Sequence, residues 1–165
     1  MPQSIDDVML EKLNQAYTAE QIALRTMPAL AQASTSPQLK QAFETHITET
    51  EQQIIRLEQA AEVIGVQIEG APCEAMEGLA AEGERLIAEN QPSPLLDVMI
   101  ICATQAVEHH EIAAYGTMRS LATALGMNNV ADLMSETLEE EKATDEKLTA
   151  LAESQVNPAA IKTAA

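Results

Sequence analysis

Glu20 occupies a position where a helical chain would be expected to carry an apolar residue. The ladder around it reads Leu10, Leu13, Tyr17, Glu20, Leu24, Met27, Ala31, at steps of three and four. That spacing marks the inner seam of an amphipathic helix, with a carboxylate at its centre. A carboxylate kept from water must be protonated, paired or bound to a cation, because an isolated buried charge is costly. Acids recur at comparable places in three further helical segments, at Glu49, at Glu108 and Glu111, and at Glu140 or Glu141. His46 lies three residues before Glu49 and so shares its face. Several inward carboxylates with one imidazole suit iron or manganese.

The elements that must carry these residues follow from breakers and caps. A first helix begins near Ser4 or Ile5, with Asp6 and Asp7 at its positive end, and runs to about Ala33; Pro28 inside it removes a backbone donor, so a bend is expected one turn after the Glu20 level. Ser36 caps a second helix that has Pro37 at its first position, and Gly65 ends it. A shorter helix spans roughly 73–89, and Asn90 to Pro94 breaks the chain again. The third long helix covers 95–125 and the fourth 130–154. Residues 155–165 are expected as a loose C-terminal tail, leaving 1–154 as a single domain. No strand is expected.

A shift of 91 residues aligns the two long hairpins, placing Glu20 on Glu111, Leu39 on Val130, Glu49 on Glu140 and Leu57 on Leu148. Two related hairpins joined by a long crossover that carries an extra short helix make an all-α, ferritin-like four-helix bundle. The crossover of about 30 residues allows the second hairpin to start at the first one's open end.

Equal distance from a short turn means equal height in antiparallel helices. Around the first turn, near Thr35, Glu20 lies 15 residues before and Glu49 14 after. Around the second, near Met127, Glu111 lies 16 before, and Glu140 and Glu141 lie 13 and 14 after. One turn further out, Glu108 stands 19 before it and Asp145 18 after. On the fourth helix the apolar seam of Met134, Leu138 and Leu148 favours Glu141, whereas the repeat favours Glu140. The ligand set expected is Glu20, His46, Glu49, Glu108, Glu111, Glu141 and Asp145, around two iron or two manganese ions. The Glu-x-x-His pair usual on two helices of such sites is absent. His109 and His110 are adjacent, so at most one faces inward. Tyr17 and Tyr115 lie on seams near the acids, where a hydroxyl bond to a carboxylate is expected.

Composition narrows the partners. The 165 residues are 46% hydrophobic and 2% aromatic, a helix-forming mixture with one Phe, two Tyr and no Trp. A net charge of −17 argues against nucleic acid and anionic membranes and favours cations. The longest apolar runs fall short of a bilayer span and no leader-like segment stands at the start, so a cytoplasmic location is expected. The two cysteines match no zinc spacing and read as reduced thiols, with Cys102 in the core.

The strings Tyr17-Thr18-Ala19-Glu20, His46-x-x-Glu49-Thr50-x-x-Gln53, Cys73-Glu74-Ala75-Met76-Glu77-Gly78-Leu79, Val107-Glu108-His109-x-Glu111-Ile112-Ala113-x-Tyr115-Gly116-Thr117 and Thr137-Leu138-Glu139-Glu140-Glu141-Lys142-Ala143-Thr144-Asp145 resemble the YciE/YciF-type bacterial stress proteins. The likeness extends from about Ile5 to Ala152. It implies a rubrerythrin-like bundle of the ferritin superfamily, a homodimer, with a two-metal carboxylate site and a role in stress responses. Ferroxidase-like or peroxidase-like oxidoreduction is the chemistry open to such a centre. The alternative is a non-catalytic stress or interaction protein with a structural or vestigial site.

Overall fold

A computed structural model describes residues 2–164, and among them there is no strand. The helices are α1 (Ile5–Ala33), α2 (Pro37–Ile64), α3 (Glu74–Glu89), α4 (Pro94–Ala124), α5 (Asn128–Leu151) and α6 (Asn157–Ala164). A π-helical turn, Ala152–Val156, joins the last two.

The local signals act as their chemistry requires. Ser4 and Asp7 form a reciprocal capping box, satisfying orphan N–H groups at the start of α1. Ser36 caps α2 through Leu39 N–H, with Pro37 following, and Ser93 with Pro94 repeats the device on α4. Gly65 closes α2 at φ 83°, the left-handed conformation glycine adopts without strain. Helix α1 continues through Pro28.

Helix α1 packs on α2 and α4, and α5 packs on α2 and α4, so the four long helices enclose a common interior. Helix α3 lies across α1 and α4. The loop before it is held to α1 by Asn14, whose Oδ1 accepts from Glu69 N–H and Gly70 N–H at 3.0 Å each. A Cβ on Gly70, at φ 83°, would meet Thr18 Oγ1 at 2.8 Å, so both the backbone and the close approach require glycine.

Three expectations are corrected. First, the second hairpin starts at the closed end of the first. Asp97, in the first turn of α4, accepts from Thr35 N–H (2.7 Å), Thr35 Oγ1–H (2.7 Å) and Ser36 N–H (2.9 Å), which pins α4 to the α1–α2 turn. Second, the chain from residue 155 stays helical to Ala164 and buries Val156 in the core, where a loose tail was expected. The π turn adds a residue to the helical repeat there, which resets the buried face. Third, Cys102 is exposed, while Ile100, Ile101 and Ala103 around it are buried. An apolar run on a helix always turns some of its members outward.

The buried residues of α1 are Met9, Leu13, Ala16, Ala19, Glu20, Ile22, Ala23, Met27 and Leu30. The ladder read from the sequence shares Leu13, Glu20 and Met27 with them, while Leu10, Tyr17, Leu24 and Ala31 flank the core half-buried. The seam is thus rotated slightly toward the alanines, which let neighbouring helices approach closely. Glu20 is central in both readings.

Candidate metal centre

Apolar packing divides into two clusters, one on each side of the acids. Met27, Leu39, Phe43, Met76, Ile100 and Leu148 belong to one, and Leu13, Leu57, Tyr115, Met118, Met134 and Leu138 to the other. Between them four buried side chains from three helices converge: His46 on α2, Glu108 and Glu111 on α4, and Glu141 on α5. One donor atom from each lies within 4.8 Å of the other three. Glu108 and Glu141 are 0% exposed, Glu111 2% and His46 4%, so water is not their partner.

Hydrogen bonding within the cluster is incomplete. Both oxygens of Glu108, both of Glu141, Oε1 of Glu111 and Oε2 of Glu20 have no partner. His46 Nε2 is 3.3 Å from Glu108 Oε1 and 3.8 Å from Glu141 Oε2, contacts that are electrostatic rather than aligned hydrogen bonds. Its Nδ1 faces outward, 3.4 Å from Glu49 Oε2 and 3.4 Å from Thr144 Oγ1. Those partners orient the ring so that Nε2 faces the acids, the arrangement by which outer groups commonly hold a ligating imidazole.

Glu20 stands beside this group. It accepts a short hydrogen bond of 2.5 Å from the Tyr115 hydroxyl, the kind of bond expected from the seam position of that tyrosine. Tyr17 instead donates to Glu58 at 3.1 Å near the surface. Burial raises the Glu20 pKa to about 7, against the opposing pull of Tyr115 and His46 and with a further push from Glu108. Burial first, and then Glu20 and Glu108, hold Glu111 well above the ordinary carboxylate range. Glu141 is raised by burial and then by Glu111, Glu20 and Glu108. Burial opposes charging of His46, but Glu108 and Glu49 overcome it and hold its pKa well above the usual imidazole value. Carboxyls whose pKa is raised in this way would give up their protons to a cation bound among them.

The expected ligand residues separate into groups. His46, Glu108, Glu111 and Glu141 converge, and Glu20 adjoins them. Glu49 is 38% exposed and lies on the outer side of the His46 ring, which lowers its pKa. Asp145 is outside the group, accepting from Gln105 Nε2 at 3.0 Å and lying 3.5 Å from His109 Nδ1. His109 is itself 67% exposed, and His110 Nε2 is 3.5 Å from Cys73 Sγ.

The two candidates on α5 also separate. Glu141 faces the acids, while Glu140 accepts two 2.6 Å bonds from the Arg56 guanidinium and one of 3.1 Å from Gln53 Nε2. Arg56 and Asp97 were not singled out from the sequence, and Thr144 entered only within a string that carries the family resemblance. The basic residue on α2, three after Gln53, was the available sign that an α5 acid would be drawn aside.

Two cavities reach the cluster. The larger, about 200 Å³, is lined by Lys12, Gln15, Glu20, Glu111, His110 and Cys73 among others. The smaller, about 30 Å³, touches His46 and Glu108. No helix among the described residues is long and apolar enough to cross a membrane.

The class so defined is an all-helical protein with a buried cluster of carboxylates and one imidazole able to hold a metal ion. The chain belongs to the family described as a domain of unknown function, DUF892, whose model matches residues 4–161. It is 44% identical over 155 residues to the Protein YciF of Escherichia coli K12, covering 93% of each chain. The crystal structure of that E. coli stress protein superposes with a TM-score of 0.90 at 43% identity, over 94% of this chain and 99% of that one. YcfI of Rhodopseudomonas palustris superposes at 0.87 with 35% identity, over 89% and 94% of the two chains.

Proposed function

We propose that this protein is a ferritin-like carboxylate metalloprotein of the bacterial stress response, holding two iron or two manganese ions. The observation that carries this reading is the set of buried, unpartnered carboxylate oxygens gathered around His46. Leaving them unpartnered would cost several kcal/mol, by the general cost of burying ionised groups, and divalent cations remove that cost. The residues fit the group. His46, Glu108, Glu111 and Glu141 would form the core of the ligand set, Glu20 would complete one side, and Glu49 and Asp145 would support it from outside. Bound iron or manganese would supply one-electron redox chemistry toward Fe(II), peroxide or dioxygen. The chain's own work is to hold the His46 ring through Glu49 and Thr144, and to hold a proton on the Tyr115 hydroxyl against Glu20. Packing on both sides excludes bulk water.

The stress role is supported by the likeness to E. coli YciF. A homodimer is part of the same reading, and exposed Ile55 and Val63 on α2 offer apolar surface for it. The working location proposed is the cytoplasm.

Metal analysis of protein purified without added metal tests the proposal, together with anaerobic Fe(II) uptake. Retention of iron or manganese that is lost in Glu111→Ala supports it. No uptake by the native chain would sink it. A second reading, a structural or vestigial centre, is favoured by the single histidine and by a relative described as a candidate structural protein. Full metal occupancy without turnover of Fe(II) or hydrogen peroxide would select that reading.

A further inference from the structure

The two cavities that reach the acids differ in chemistry. The 200 Å³ cavity has Lys12 and Gln15 near its mouth and Glu20 and Glu111 within, so polar molecules and ions can remain partnered along it. The 30 Å³ cavity lies beneath α3 and is walled by Ala23, Met27 and Leu30 of α1, Met76 and Ala80 of α3, and Val107 of α4. Its hydroxyls are committed elsewhere. Thr26 Oγ1 donates to Ile22 O at 3.0 Å, and Thr104 Oγ1 donates to Ile100 O at 2.9 Å. Only its deep end is polar, where it meets His46 and the fully buried Glu108, whose two oxygens are unpartnered.

We infer that this smaller cavity is a binding pocket for dioxygen, delivering it to the His46–Glu108 flank of the carboxylate centre. The inference rests on the metal reading above for its purpose and on the cavity alone for its binding. A space of about 30 Å³ takes one small molecule. Water would need two to four polar partners to stay there, and it finds them only at the deep end, at Glu108 and His46, not along the apolar walls. Hydrogen peroxide would give up hydrogen bonds to water on entry, which is costly in an apolar passage. Dioxygen gives up none. Peroxide and cations therefore use the larger cavity, and the centre has two entrances of opposite polarity.

The first test needs no metal. In full-length, metal-free protein carrying ¹³C-methyl methionine, dissolved oxygen under pressure relaxes the methyls it approaches. Met27 and Met76 line the pocket, while Met118 and Met134 are comparably buried and lie outside it. The expected result is about threefold stronger oxygen-induced relaxation at Met27 and Met76 than at the two controls, since apolar cavities bind apolar gases. Equal relaxation at all four methyls overturns the inference.

Ala80→Phe should abolish the difference by filling the pocket. If that variant does not fold, Gly83→Ala serves instead. Its added methyl stands in ordinary contact with Leu30, 3.6 Å away, and narrows the same space. In iron-loaded protein, the blocked variant should oxidise Fe(II) with dioxygen about tenfold more slowly and keep its hydrogen peroxide rate. Equal slowing with both oxidants overturns the route. Failure to load iron would refute the metal reading, and the methyl result would still decide whether the pocket binds dioxygen.

Discussion

Two places in this bundle bury carboxylates, and they treat them in opposite ways. At the closed end of the first hairpin, Asp97 is 2% exposed and receives three hydrogen bonds from Thr35 and Ser36. Half-way along the bundle, Glu108, Glu111 and Glu141 are as deeply buried but have five oxygens without a partner. The difference lies in what each acid faces. Asp97 meets the free N–H groups of a turn, a ready-made anion site. The glutamates meet one another, because helices supply no free backbone donors in their interiors. Burial with satisfaction makes a structural clamp, and burial without it leaves a place for a cation.

The sharpest way to break this comparison is metal itself. Saturating Mn(II) or anaerobic Fe(II), at about a thousand times its Kd, should stabilise the protein by about 4 kcal/mol through linkage. A chelator should reverse the gain, as read by thermal unfolding. An unfolding midpoint indifferent to both would show that the central acids are not a cation site.

Deletion of one acid from each place should give effects of opposite sign. Asp97→Ala is expected to cost about 3 kcal/mol in denaturant unfolding, with or without metal, because three charge-assisted bonds are lost. Glu141→Leu should stabilise the metal-free protein by about 2 kcal/mol, since an unpaired carboxyl is replaced by an apolar group of similar volume. The same change should abolish the stabilisation by metal. Destabilisation of the metal-free form by Glu141→Leu would mean that Glu141 is paired after all.

Proton linkage sharpens the contrast further. Glu20 is raised from 4.5 to about 7 in the folded chain, and Glu111 and Glu141 are raised as well. Above the unfolded carboxyl value the native state then binds more protons than the unfolded one, so stability falls with rising pH. His46 acts in the same direction, because its raised pKa favours the folded state at low pH and the benefit is lost as pH rises. The metal-free protein should therefore lose on the order of 3 kcal/mol between about pH 4.5 and 7 from Glu20 alone. Metal-loaded protein should show a flatter profile. The smallest expected effect on stability comes from helix propensity. Gly83→Ala in α3 should stabilise by about 0.5 kcal/mol from helix propensity, visible as a modest rise in Tm.

Much of the framework can be read from the chain because the signals are local. Ser4 with Asp7, Ser36 with Pro37, and Gly65 determine helix ends through groups a few residues apart. Equal offsets from a turn place Glu20 level with Glu49 in the first hairpin and Glu111 level with Glu141 in the second, each without knowledge of the other hairpin. The family likeness agrees with the E. coli relative.

Other outcomes depended on partners far away in sequence. Glu140 and Glu141 differ by one residue, about 100° around the helix, and Arg56 on α2 draws one aside while the other turns inward. The internal repeat pointed to Glu140 because it aligns positions and is blind to that guanidinium. Asp145 was at the right height, but Gln105 and His109 hold it outside the converging group. The anchoring of α4 at the closed end rests on a bond between residues 62 apart, Asp97 and Thr35. Which helices form, where they end and how far each acid lies from its own hairpin's turn follow from the chain alone, because those depend on backbone capping and helical period. Tertiary structure alone decided which acids are left unpartnered, because that depends on the donors that neighbouring helices bring within reach.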